Sequence, residues 1–145
     1  MKTEVYLSLG SNMGDRRGNL DKALEMLSEA LGSSPEKVAS YLETEPWGFD
    51  SESHFINTAA LFLTEKDPFE LLSIIKDIEK QMGRDLSSPF YDEKGGRIYR
   101  DRPIDIDILF YGDEVIDTPS LKIPHPLISK RDFVLIPLRE IYSQP

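Results

Sequence analysis

The run Arg102-Pro103-Ile104-Asp105-Ile106-Asp107-Ile108-Leu109-Phe110 admits few backbone conformations. Its β-branched isoleucines recur at every second position, which is the period of an extended strand. Pro103 suits the first residue of such a strand, where a missing N–H costs little. In this strand Ile104, Ile106, Ile108 and Phe110 share one face, and Asp105, Asp107 and Leu109 share the other. At roughly 3.3 Å of rise per residue, the two carboxylates lie about 6.6 Å apart. A hard cation fits between them, with Mg²⁺ at roughly 2.0–2.1 Å from each oxygen it takes. Left bare, two such charges repel and one carboxyl tends to keep its proton. Asp is depleted in strands, so its double occurrence favours a metal site over a half-exposed face that merely happens to carry two acids.

The remaining elements follow from periodicity. Val5, Leu7 and Leu9 alternate with Tyr6 and Ser8, giving a first strand that ends at Gly10-Ser11-Asn12. A turn from Gly10 to Gly18 leads into a helix carrying Leu20, Ala23, Leu24, Leu27, Ala30 and Leu31, which Gly32 ends. Val38 to Glu43 reads as a second strand and Phe55 to Thr64 as a third, separated by a turn-rich loop over residues 44–53. Asp67-Pro68 caps a second helix with Leu71, Leu72, Ile75, Ile78 and Met82 on one stripe. Glu79 falls inside that stripe, where a carboxylate is costly unless paired. Two readings stand level: a salt bridge at the rim of the core, with Arg84 as partner, or a functional carboxylate.

From Gly83 to Asp101 the pattern disappears into a long polar segment, the length of a functional lid or a disordered loop. After the Asp105–Asp107 strand, a turn at residues 111–114 leads into Val115-Ile116, read as its hairpin partner. A final helix, Asp132 to Tyr142, is bent or interrupted at Pro137. Strand, helix, strand, strand, helix, strand, then a hairpin and helix, is the split βαβ order of a ferredoxin-like α+β sandwich. It has a mainly antiparallel sheet with helices packed on it, and residues 1–145 read as one domain.

At 145 residues the chain can bury one sizeable core. It has no cysteine, so no disulfide or thiolate metal site is available. No apolar run approaches the roughly 20 residues of a membrane span and no signal-peptide core opens the chain, so the cytoplasm is the expected location. The net charge of −9, from 26 acidic and 17 basic residues, argues against nucleic acid as partner and against a nuclease among D-x-D enzymes. Five of those 17 bases (Arg84, Lys94, Arg97, Arg100, Arg102) nevertheless gather between positions 84 and 102. A metal pair beside a local basic segment suits phosphoryl transfer to or from a small anionic substrate, where cations neutralise developing charge. No G-x-x-x-x-G-K-[ST] run exists, which removes the P-loop enzymes. A non-catalytic ferredoxin-like binding module remains the bland alternative.

Arg102-x-x-Asp105-Ile106-Asp107-Ile108-Leu109 followed by Pro124-His125 resembles the signature of the 6-hydroxymethyl-7,8-dihydropterin pyrophosphokinases of folate biosynthesis. Leu9-Gly10-Ser11-Asn12, Thr44-x-Pro46-x-Gly48, Phe55-x-Asn57, Glu79-x-x-x-Gly83-Arg84 and Arg131-x-Phe133 match in the same order, so the likeness covers nearly the whole chain. The resemblance implies transfer of diphosphate from ATP to the pterin's hydroxymethyl group, leaving AMP. It implies two Mg²⁺ ions on Asp105 and Asp107, with Arg84 and Arg102 stabilising the moving charge and Arg97 and Arg100 as rival arginines. It places His125 and Arg131 on ATP phosphates, and Glu79, Ile108 and Lys122 near the nucleotide. Phe55 and Phe133 would sandwich the pterin ring, while Thr44, Glu45, Trp47 and Asn57 would line its pocket. Trp47 and Tyr99 would sit on two closing loops, Tyr99 where tryptophan is frequent and Glu45 where proline is. ATP and the pterin are the expected partners, with no nucleic acid or membrane, and the chain is expected to act as a monomer.

Overall fold

The computed structural model describes residues 2–11, 15–44, 55–83, 104–126 and 132–142. In chain order they form β1 (Thr3–Ser11), α1 (Arg16–Leu31), β2 (Lys37–Val38), β3 (Leu42–Thr44), β4 (Phe55–Thr64), α2 (Pro68–Gln81), β5 (Asp105–Tyr111), β6 (Ile116–Asp117), β7 (Lys122–Ile123) and α3 (Asp132–Ile141). The main sheet runs β2-β4-β1-β5 with β3 also on β4, and all its pairings are antiparallel. Counting β2 and β3 as one interrupted edge, this is the ferredoxin-like order expected from the sequence.

Apolar spacing decides which face each element covers. Leu20, Ala23 and Leu27 of α1 and Leu71, Ile75 and Ile78 of α2 pack on Val5, Leu7, Leu9, Ile56, Ala60, Phe62, Ile104, Ile106 and Ile108. Each large aliphatic side chain so buried contributes about 1.5–3 kcal/mol. The other face holds a smaller cluster in which Val134, Leu138 and Ile141 of α3 cover Tyr6, Ala39, Ala59, Leu61 and Leu109.

Helix ends are secured locally. Asp15 caps α1 by accepting from the Gly18 N–H at 3.1 Å, so the helix starts before the position where the glycine turn was expected to end. Gly32 closes α1 in the left-handed region at φ 74°. Asp67 and Glu70 form a capping box on α2, with Asp67 Oδ1 accepting from the Phe69 and Glu70 N–H groups at 2.9 Å.

Four expectations need correction. The strand expected over Val38–Glu43 is broken into β2 and β3. Between them the Ser40 N–H and Oγ turn out of the ladder to Glu140 of α3, at 3.0 and 2.8 Å. Val115-Ile116 does not pair with β5: Val115 is 80% exposed, and Ile116–Asp117 pairs with Lys122–Ile123 as a separate ribbon. The outer edge of β5 is taken instead by the His125 N–H, which donates to the Leu109 carbonyl at 3.1 Å, and by Glu79. Phe110 leaves the isoleucine face because the register shifts between Tyr6 and Leu7, pairing Tyr6 with Phe110 but Leu7 with Ile108. That bulge puts one extra residue on β5 and reverses side-chain parity beyond it. Leu109 and Phe110 therefore both meet the α3 side, where Phe110 packs with Tyr6 and Tyr142 at ring-centroid distances of 6.2 and 5.7 Å. Finally, α3 runs through Pro137 without interruption.

Candidate active site

Strand register assembles the site. On β1, Gly10 lies between Asn57 of β4 and Asp105 of β5, and Ser8 lies between Ala59 and Asp107. Asn57, Asp105 and Asp107 thus share the face opposite the α1–α2 core. Two strand spacings, roughly 9–10 Å, separate Asn57 from Asp105. Asn57 is 3% exposed, whereas both aspartates are half-buried and reach solvent. A planar ligand held by Asn57 and an anion held through the carboxylates would then be neighbours on one surface.

His125 joins this pair. Its Nε2 lies 3.9 Å from Asp107 Oδ1, and its backbone bond to Leu109 fixes the segment against β5. Next to it a cavity of about 240 Å³ opens between α2, β5 and the β6–β7 ribbon. Ile108, Lys122 and His125 line it together with Asp107. Leu72, Lys76 and Ser120 also line it, none of them a site candidate by pattern or motif. Lys76 was nonetheless findable: it precedes Glu79 by three residues, one helical step along the same side. Lys122 is exposed and paired with Asp117 across the ribbon, and that ammonium holds the Asp117 carboxyl below the usual carboxylate range.

Glu79 is not at the rim. It is 1% exposed, and its Oε2 accepts the Ile106 N–H at 3.0 Å. The carboxylate on the helix stripe therefore serves a backbone donor on the sheet edge.

Thr44 and Phe55 face each other in the β3–β4 ladder, and Phe133 is the second residue of α3. Arg84, Arg102, Arg131, Glu45, Trp47 and Tyr99 lie outside the described residues, as do Arg97 and Arg100.

Two carboxylates on one strand form an open donor set. Among the described residues no group of three or more His, Cys, Asp or Glu converges into a closed cage. That set fits Mg²⁺, which is held through one or two carboxylates and completes its octahedron with water and substrate phosphates. An antiparallel α+β sandwich with an acidic pair on one sheet face, a histidine beside it and an adjoining cavity fits the phosphoryl-transfer class of enzymes.

Comparison with known proteins makes this specific. The model of the 7,8-dihydro-6-hydroxymethylpterin-pyrophosphokinase family matches residues 6–143. A Porphyromonas gingivalis protein named 2-amino-4-hydroxy-6-hydroxymethyldihydropteridine pyrophosphokinase is 43% identical over 138 residues, covering 94% of this chain and 89% of its own. A protein of the same name from Aquifex aeolicus is 45% identical over 137 residues, covering 94% and 79%. A crystal structure described as HPPK-DHPS in complex with substrates superposes with a TM-score of 0.69 at 16% identity, over 97% of this chain and 40% of that one, and so speaks for the fold. The chain belongs to the 7,8-dihydro-6-hydroxymethylpterin pyrophosphokinase family.

Proposed function

We propose that this chain moves diphosphate across the open face of its sheet, from ATP over the β5 edge to a pterin over β4. It is an ATP-dependent pyrophosphokinase of folate biosynthesis: the hydroxymethyl oxygen of 6-hydroxymethyl-7,8-dihydropterin takes the two terminal phosphates of ATP and AMP leaves. The new bond joins that oxygen to the β-phosphorus. The bond to the α-phosphate oxygen breaks, and the hydroxyl proton passes to solvent or to a phosphate oxygen. The observation that carries the reading is the placement of Asp105 and Asp107 on one strand face, His125 beside them and buried Asn57 two strands away.

Asp105 and Asp107 hold two Mg²⁺ ions, which when bound neutralise phosphate charge and lower the cost of bringing an oxygen nucleophile to phosphorus. His125 and Arg131 orient the phosphates, while Ile108 and Lys122 receive the nucleoside in the cavity. Arg84 and Arg102 stabilise charge on the group in transit. Phe55 and Phe133 sandwich the pterin, and Asn57, Thr44 and Glu45 meet its polar edge, since a flat heterocycle calls for two aromatic faces and a few fixed polar groups. Trp47 and Tyr99 close loops over the site and exclude water, the competing acceptor. No covalent nucleophile is needed, because diphosphate transfer depends mainly on positioning and electrostatics. All these groups come from one chain, which supports a monomer acting as a single pyrophosphokinase domain. Its use of ATP as co-substrate supports the cytoplasm. No helix among the described residues is long and apolar enough to cross a membrane.

The deciding assay incubates the protein with ATP, Mg²⁺ and the hydroxymethyl pterin and separates the nucleotides. AMP is expected only when the pterin is present; ADP as the product would overturn the assignment.

A further inference from the structure

We propose that Glu79 is a positioning residue for the metal-holding pair: by accepting the Ile106 N–H from the outer edge of β5, it fixes the strand at the residue between Asp105 and Asp107. This rests on the reading of those two aspartates as the Mg²⁺ carboxylates.

β5 is the last strand of the sheet, so only its inner edge meets β1. An edge strand presents unpaired N–H and C=O groups and can twist or slip unless they are engaged. At Leu109 the outer edge is engaged by the His125 backbone. Three residues earlier, at Ile106, it is engaged by a carboxylate that α2 carries into the core at 1% exposure. The side chain of Ile106 is itself buried in the α1–α2 core. Residue 106 is thus held by a core contact and by a buried hydrogen bond, which is costly to break. Its two neighbours project to the opposite face as the half-buried aspartates. Any rotation of the strand at 106 changes the spacing of both carboxylates, so the bond transmits to them without touching substrate. A plain structural role for Glu79 would place the bond at any edge residue. Here it falls between the two ligands.

The test uses Glu79→Met, which keeps the buried volume and removes the acceptor, and Glu79→Gln, which restores an acceptor oxygen. Amide hydrogen exchange by NMR reads the bond directly. In Glu79→Met the Ile106 amide should exchange at least about tenfold faster while those of Val5 and Leu7 keep their rates, and in Glu79→Gln it should stay protected. Titration calorimetry of Mg²⁺ into protein with a non-hydrolysable ATP analogue should give about tenfold weaker metal binding for Glu79→Met, within the range seen when a ligand-orienting contact is lost. Glu79→Gln should recover most of it, and analogue affinity without Mg²⁺ should be unchanged in both. Unaltered Mg²⁺ affinity in Glu79→Met, or equal weakening in both variants, would overturn the proposal. Loss of metal-free analogue binding would also overturn it, by making Glu79 a nucleotide contact. If instead Asp107→Ala leaves Mg²⁺ affinity intact, the site reading itself fails.

Discussion

The two edges of the sheet are finished in opposite ways. At the β2/β3 edge the chain leaves the ladder, and Ser40 is tied to α3 by two bonds to an exposed Glu140. At the β5 edge the strand stays continuous for seven residues, and its outer groups are engaged by buried Glu79 and by the His125 backbone. Exposed bonds contribute little because water competes for both partners, whereas buried ones are costly to break. Local change at the first edge therefore carries small penalties. The second carries its engaged outer edge on the strand that bears Asp105 and Asp107.

That contrast can be broken most sharply at Asp107. Asp107→Ala should lower AMP formation by about a thousandfold or more, as loss of electrostatic stabilisation of a transferring phosphate group does, with the thermal midpoint unchanged. Near-normal turnover would separate the β5 edge from the chemistry. Ile106→Ala tests the same edge through its packing. It removes a buried side chain and should cost about 2–5 kcal/mol in urea unfolding. At the opposite edge Glu140→Ala should cost less than about 1 kcal/mol and leave turnover within twofold. A larger loss there would show that the two edges are equally critical. The smallest effect belongs to Asp67, whose carboxyl is held below its usual range, first by the Glu70 backbone N–H. A depressed carboxyl adds stability above its unfolded pKa and gives it up as pH falls through the lower, folded value. The gap in thermal midpoint between wild type and Asp67→Ala should thus be full at pH 7 and close below about pH 4.

How far the sequence reached depends on what each element rests on. Alternation in β1 and β5 and the stripe of α2 were readable because burial repeats with the backbone period. The acidic pair was readable for the same reason. Asp15 was present as a cap signal but hidden behind the more conspicuous glycines. The β2–β3 break was not legible, since Ser40 answers to a residue one hundred positions away. Nor was the bulge, because Leu109 and Phe110 suit either face equally. Glu79 was noticed for its cost, yet its partner is a backbone N–H, and no residue letter advertises which N–H is left over at a sheet edge. Ile116 went to the wrong strand for a related reason: the edge it was assigned to is already occupied.

The bulge opposite Tyr6 and Leu7 also separates two histories within one strand. Upstream of it the pleat is in phase with β1 and carries the aspartates. Downstream it is shifted by one residue and serves the aromatic packing of Tyr6, Phe110 and Tyr142. The extra residue acts as an insulator between those phases. Insertions, deletions or aromatic swaps in the downstream half can be absorbed there by a larger or smaller bulge, leaving the aspect of the carboxylates undisturbed. Downstream, Phe110 answers to what packs under α3 while Tyr111 stays in the main core; upstream, the setting follows β1.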